Sequence, residues 1–424
     1  MGLFDDTGID TNQFATLSWL FYLGFLIFEF PHAYMIQRFP TGKYLGLMIC
    51  LWGACVACTA ACNNYASIAA IRFLLGVFES AVSPSLILLT SMFYKHNEQP
   101  RRVGFWYIGV GCAVMAGSLM SFGFQHYKGT TFNNWQIMFL VIGLITITIG
   151  AIVIVFMPDN PMTARFLTPT ERVAATERLR SNNTGIENKH FKPYQLRETL
   201  LDPQVWLLSF ITTAASIPNG AVSSFQSLLI SSFGFNDYET TLLQMPSGFI
   251  AAASVIAATQ FAAGFNARLG AMIAVTAFGG IIGGSMIAFA PGRATRLVGN
   301  YFTQVVGAFL PNAYSLAACN FGGHTKKVTM NAILLMSFCL GNIIGPLTFR
   351  DEDAPDFTPA KITIVAVDSA VIVACGGLWG YYRWQNRSRD KERDARVGEV
   401  VGSGTDQAFS DLTDRENREV RYKY

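Results

Sequence analysis

The chain has 424 residues, of which 51% are hydrophobic and only 14% charged, with a formal net charge of +3. That charged fraction is well below the ~25% of ordinary soluble domains, and apolar runs of about 18 residues or more, long enough to cross a ~30 Å hydrocarbon layer, recur along the whole chain. The composition excludes a soluble protein, the small charge spread over short loops excludes a nucleic-acid partner, and the eight cysteines, within or at the ends of apolar runs, form no disulfide framework.

The start, MGLFDDTGIDTNQ, is acidic and polar, so it is no cleavable signal, and Asp6 stands where N-myristoylation needs Ser or Thr. Eleven spans follow, at about 14–37, 44–62, 67–93, 104–125, 137–157, 204–231, 240–264, 270–290, 296–319, 327–347 and 360–383. Basic residues gather in alternate connections: Arg38 and Lys43; Lys95, Arg101 and Arg102; seven between Arg165 and Arg197; Arg268; Lys326 and Lys327; and the tail from Arg383. Those loops belong in the cytoplasm, which puts the C-terminus inside and the N-terminus outside. An outside start without a signal predicts one further helix upstream of Met1. The connection 158–203 divides the spans into five and six, and restoring that helix makes six plus six, the plan of a two-bundle secondary transporter.

Taken in chain order, the first span holds Glu29, a carboxyl inside the apolar run LIFEFPH. Cys55, Cys58 and Cys62 mimic metal-ligand spacing but sit on an alanine-rich helix, so they read as small packing residues and no metal is expected. The third span, RFLLGVFESAVSPSLILLTSMF, carries Arg72, Gly76 and Glu79 at i, i+4 and i+7, on one helix face, with Gly76 leaving room between the long side chains. Intramembrane charges mark functional paths or structural ion pairs. Arg72 is assigned to a substrate anion; Glu79 and Glu29 are assigned to proton coupling, Glu79 pairing with Arg72 when the site is empty. In the central connection, Thr168 and Glu171 form a capping box with Pro169 at N1. Pro218, Asn219 and Gly220 interrupt the sixth span, with Gln226 beyond; Gln304, Pro311, Asn312 and Tyr314 form a second kinked polar set. Asn219, Gln226, Gln304, Asn312 and Tyr314 are therefore candidate cavity residues. Gly279/Gly283, Gly280/Gly284 and Gly341/Gly345 are small-xxx-small pairs for close helix packing. Asp368 is a lone charge in the last span without an evident role. From 384 to 424 the chain is charged and poor in large aliphatics, which predicts a disordered cytoplasmic tail.

RFLLGVFESAVSPS, FLIFEFPHAYMIQRF, MPDNPMTARFLTPTERVAATERLR, NFGGHTKK with MNAILLMSFCLGNIIGP, and DAPDFTPAK together resemble the fungal anion:cation symporter branch of the major facilitator superfamily, the allantoate-permease-like transporters. The resemblance covers roughly residues 10–385, with the superfamily's first helix absent. Against the superfamily's patterns, QRFPTGK keeps only Arg38 and Lys43 of a basic loop, and Gly109, Ala113 and Gly117 stand in for a fifth-helix glycine motif. The resemblance implies an all-α membrane protein of two six-helix bundles, here with about eleven helices: a bundle over 1–157, a cytoplasmic loop over 158–203, a bundle over 204–383 and the tail. It implies a monomeric, multi-pass plasma-membrane carrier, without cofactor or enzymatic activity, that takes up a small organic anion with a proton. Substrates of the branch are carboxylates such as allantoate, nicotinate, pantothenate and biotin. A non-transporting nutrient sensor and an inactive truncated remnant are the alternatives.

Overall fold

A computed structural model describes residues 6–94, 99–127, 132–180, 192–353, 357–396, 413–417 and 421–424. Apolar helices dominate, because in hydrocarbon every backbone N–H and C=O must be satisfied within its own segment. The first half contains α1 (Thr11–Arg38), α2 (Thr41–Thr59), α3 (Tyr65–Glu79), α4 (Val82–Phe93), α5 (Gln99–Gln125) and α6 (Asn134–Phe156). Two connecting helices, α7 (Pro169–Arg180) and α8 (Pro193–Leu200), lead to α9 (Pro203–Ser232), α10 (Asp237–Leu243) and α11 (Met245–Gly264). Then come α12 (Arg268–Val275), a π-helical turn over Thr276–Gly283, and α13 (Gly284–Phe289), followed by α14 (Arg293–Thr303), α15 (Phe309–Asn320), α16 (His324–Ile344) and α17 (Thr358–Arg396). Ten stretches of the described residues are long and apolar enough to cross a membrane. The eleventh expected span, 296–319, is α14 and α15 joined by a 3-10 stretch, Gln304–Ala308. The chain is an all-α, multi-pass membrane protein.

Helix ends follow local chemistry. Asp10 and Gln13 cap α1 reciprocally, Asn64 accepts from the Ser67 N–H at the start of α3, and Thr168 and Glu171 bond each other's backbone N–H as the sequence predicts. The Thr168 hydrogen bonds hold the Glu171 carboxyl below its ordinary range. Proline acts unevenly. Pro84 lacks the N–H that would bond the Ser80 carbonyl, and the third span breaks there into α3 and α4. Pro218 was expected to interrupt the sixth span, yet α9 runs on through it. A proline inside a membrane helix is tolerated where nearby groups satisfy the backbone carbonyl it frees.

The chain divides into two compact units, one of Met1–Glu187, Gly220–Ala252 and Asn342–Ala360, the other of Asn188–Asn219, Ala253–Gly341 and Lys361–Tyr424. Within the first, glycines let backbones touch. A Cβ on Gly76 would run into the Phe21 carbonyl and one on Gly24 into the Phe73 carbonyl, so α1 and α3 cross with a glycine on each side. Gly76 therefore serves the helix crossing, a correction to its expected role as spacer between Arg72 and Glu79. Gly46 faces Gly150 and Gly53 faces Gly143 between α2 and α6, and Gly111 of α5 meets Gly248 of α11. A Cβ on Gly109 or Gly117, by contrast, would meet nothing within 4 Å, so neither glycine marks a close helix approach. Gly76→Ala is expected to cost about 1–3 kcal/mol, as overpacking does; the check is thermal unfolding in detergent, where an unchanged midpoint would show that the crossing yields.

The second unit has an apolar core that includes Leu208, Ile211, Met272, Leu316, Leu334 and Leu378, each 0% exposed. Here the predicted glycine pairs do meet partners: Gly279 and Gly283 face α14 at Phe302 and Gly299, Gly280 and Gly284 face α17 at Asp368 and Ile364, and Gly341 faces Thr213 of α9. The tail departs from expectation. α17 continues to Arg396, and Thr413, Asp414 and Tyr422 are buried; residues 397–412 lie outside the described residues. Charge did not keep this segment in water because Lys326, Arg389 and Asn386 supply buried partners for it.

Candidate functional site

The α1–α3 crossing places three ionisable side chains. Along α1, Phe25, Glu29, His32 and Ile36 recur at helical spacing and are all buried. Glu29 is 6% exposed, and its Oε2 is buried without a hydrogen-bond partner. Three residues on, His32 lies 2.9 Å through Nε2 from the Val77 carbonyl and through Nδ1 against the Tyr44 hydroxyl. A carbonyl only accepts, so Nε2 carries the hydrogen and Nδ1 of the neutral ring accepts from Tyr44. This links α1, α2 and α3 beside Glu29. Val77 O also accepts from the Ser80 hydroxyl at 2.8 Å, just where α3 ends.

On α3, Arg72 lies one turn before Gly76 and Glu79 is the last helical residue before the Pro84 break. Both are half-buried. Arg72 Nε is fully buried without a partner, and among the described residues no ion pair joins Arg72 to Glu79. The expected resting pair is thus absent; the two residues lie seven apart on α3, with about 10 Å of helix rise between them. A guanidinium offers five donors in a planar fork and suits a carboxylate held through both oxygens. Glu79, at a helix break, and Glu29, beside His32, are the carboxyls within the same crossing.

The remaining predicted residues are each placed within their own unit. In the first, Gln226 donates through Nε2 to the Ser247 hydroxyl of α11 at 2.8 Å. In the second, Asn219 is half-buried on α9. Gln304 opens the 3-10 stretch, with a buried Nε2 lacking a partner. Asn312, 1% exposed, donates to the Ala308 carbonyl at 2.8 Å and bridges the turn that Pro311 weakens, which leaves its Oδ1 unused. Tyr314 is half-buried on α15. The crossing thus brings Arg72, Glu79 and Glu29 into one helix pair, while Gln304 and Asn312 share the α14–α15 kink. Sequence reasoning missed His32 and Tyr44; the spacing of His32 from Glu29 on the buried stripe was the available signal.

A family model described as Major Facilitator Superfamily matches residues 1–346. The chain is 37% identical over 422 residues to the thiamine pathway transporter THI73 of Saccharomyces cerevisiae, covering 97% of this chain and 78% of that protein. It is 31% identical over 436 residues to the allantoate permease of the same yeast, covering 100% of this chain and 80% of the permease. Among solved structures, a bacterial homolog to the human lysosomal transporter Spinster, inward-facing and occupied, aligns with TM-score 0.62 at 13% identity over 90% of this chain and 91% of that chain, a likeness of fold alone. The named relatives are membrane transporters and not enzymes. With the family model matched over most of its length and relatives above 30% identity over nearly all of it, this chain belongs to the Major Facilitator Superfamily.

Proposed function

We propose that the protein is a secondary active transporter that takes up a small organic anion with a proton across the plasma membrane, working as a monomer by alternating access. The observation that carries this reading is Arg72: a permanently charged side chain in an apolar span, its Nε buried and unpartnered. An unneutralised charge there is costly, by about 2.5–3.5 kcal/mol on insertion scales, and a substrate carboxylate would offset that cost. The relative named for allantoate, itself a carboxylate, supports the same class. Glu79 and Glu29 take the coupling proton, and Asn219, Gln226, Gln304, Asn312 and Tyr314 are assigned to the substrate. Five spans before the 158–203 connection and six after it form the rocking halves, with basic loops and tail in the cytoplasm.

The test uses the full chain in proteoliposomes with an acidic exterior and a panel of radiolabelled small carboxylates. Accumulation of one of them above its external concentration, abolished by a protonophore, is the expected result. Binding without flux would instead assign a sensor, and neither binding nor flux an inactive remnant.

A further inference from the structure

One fully buried carboxyl has neither a role in the transport reading nor, among the described residues, an ion pair. Along α17, Ile364, Asp368, Val371, Cys375, Leu378 and Tyr382 recur at helical spacing as one stripe, each at 2% exposure or less. Asp368 is the acidic member of an otherwise uncharged row. It is 0% exposed, and neither carboxyl oxygen has a hydrogen-bond partner. The carboxyl lies against Gly280, where a Cβ would collide with it, and one turn on Gly284 meets Ile364 and Val365. Gly280 belongs to the π-helical turn Thr276–Gly283. Single π-helical turns are rare and concentrate at functional sites. The niche is therefore a widened turn with a glycine at the point where a carboxyl enters.

We propose that Asp368 is a proton-binding site, separate from Glu29 and Glu79, built from the contact of α17 with the π-helical turn. A structural hydrogen bond between the two segments does not account for it, since both oxygens lack a donor. An ionised carboxylate without donors in such surroundings is far costlier than the neutral acid. The side chain holds its proton as long as α17 and the turn stay together, and exchange with water requires them to part. Among the described residues no other charge is bonded to this carboxyl. The segment Thr276–Phe289 has no titratable side chain. Arg268 of α12 donates to the Ser315 hydroxyl, and Arg296 of α14 to the Ala290 carbonyl. Arg293, Tyr301, Tyr314 and Cys319, the other titratable groups of α14 and α15, make no bond to Asp368, and on α17 the nearest are Lys361 and Cys375, seven residues to either side.

Infrared spectroscopy of the full chain in lipid, with carboxyl-13C aspartate incorporated, reads this site without any transport assay, so its failure is distinct from failure of the transport reading. Among the described residues the other fully buried aspartates, Asp202 and Asp414, are ion-paired to Lys326, so a neutral aspartic acid band at neutral pH reports Asp368. The expected result is an isotope-shifted carbonyl stretch in the wild type that is lost completely in Asp368→Asn. Should that variant fail to fold, Asp368→Glu in the same labelling must also lose the aspartic acid band. A wild type showing only carboxylate bands for aspartate would overturn the proposal, as would a band that survives in either variant. A band that vanishes on adding sodium chloride and returns on its removal would also overturn it, by assigning a metal cation in place of the proton.

Discussion

Arg72→Lys is expected to weaken binding of the carboxylate substrate about ten- to hundredfold while leaving the protein folded. Charge-assisted hydrogen bonds contribute about 1.5–3 kcal/mol each, and an ammonium cannot reproduce a planar two-point grip. The change keeps the charge, so a pure charge requirement would leave affinity nearly intact, and the variant separates geometry from electrostatics. Equilibrium binding of the substrate identified in proteoliposomes is the measurement. An affinity within twofold of wild type would remove Arg72 from the substrate site. The companion variant Glu79→Gln is expected to preserve binding and exchange but to abolish accumulation driven by external acid, because the amide keeps the shape of the protonated side chain and cannot release a proton. If Glu79→Gln still concentrates substrate with an unchanged pH optimum, coupling passes to Glu29, whose Oε2 is buried and unpartnered.

Membrane-span positions, the all-α class and caps were legible because each depends on residues close in sequence. An apolar run declares a membrane helix by itself, and Thr168 with Glu171 specifies a cap three residues wide. Breaks were less legible. Pro84 and Pro218 are the same residue in similar apolar surroundings, yet one ends a helix and the other does not, since the outcome depends on what packs alongside. The π-helical turn at Thr276–Gly283 left no sequence mark beyond its glycines, which read simply as small packing residues. Arg72 was legible as a charge out of place, but the contact of Gly76 with Phe21 depends on how α1 packs against α3, which no local pattern reveals. The burial of the tail was not legible because much of it depends on partners far off in sequence, among them Lys326, Asn320 and Asp202.

Those partners yield the last expected result: Lys326→Met should destabilise the protein by about 3–5 kcal/mol, the usual cost of removing one side of a buried ion pair. Lys326, 0% exposed, lies 2.8 Å from Glu198, 2.9 Å from Asp202 and 2.8 Å from Asp414. Gln195 holds the position by accepting from the Thr325 and Lys326 N–H groups at the start of α16. Around this centre Arg415 pairs with Asp202, the Tyr422 hydroxyl donates to Asp414, and Arg389 donates to both Tyr422 and the Asp414 carbonyl. Burial alone would raise the Asp414 carboxyl, but the Lys326 charge and the hydrogen bonds from Lys326, Tyr422 and Gly322 outweigh it and hold the carboxyl below the usual range. A carboxyl lowered in the folded state adds stability above its unfolded value, about pH 4, and that stability is lost as pH falls through the folded value. Without the lysine, two fully buried carboxylates remain with no shared cation, and Asp414 loses the charge that offsets its burial. Thermal unfolding in detergent at neutral pH should show a clear fall in midpoint for Lys326→Met. Adding Asp414→Asn should recover part of it, as coupled neighbours do, because one of the stranded charges is then gone. Equal midpoints for wild type and Lys326→Met would mean that water reaches the cluster freely, and the tail would then owe its place to the Asn320, Asn386 and Arg268 contacts at its end.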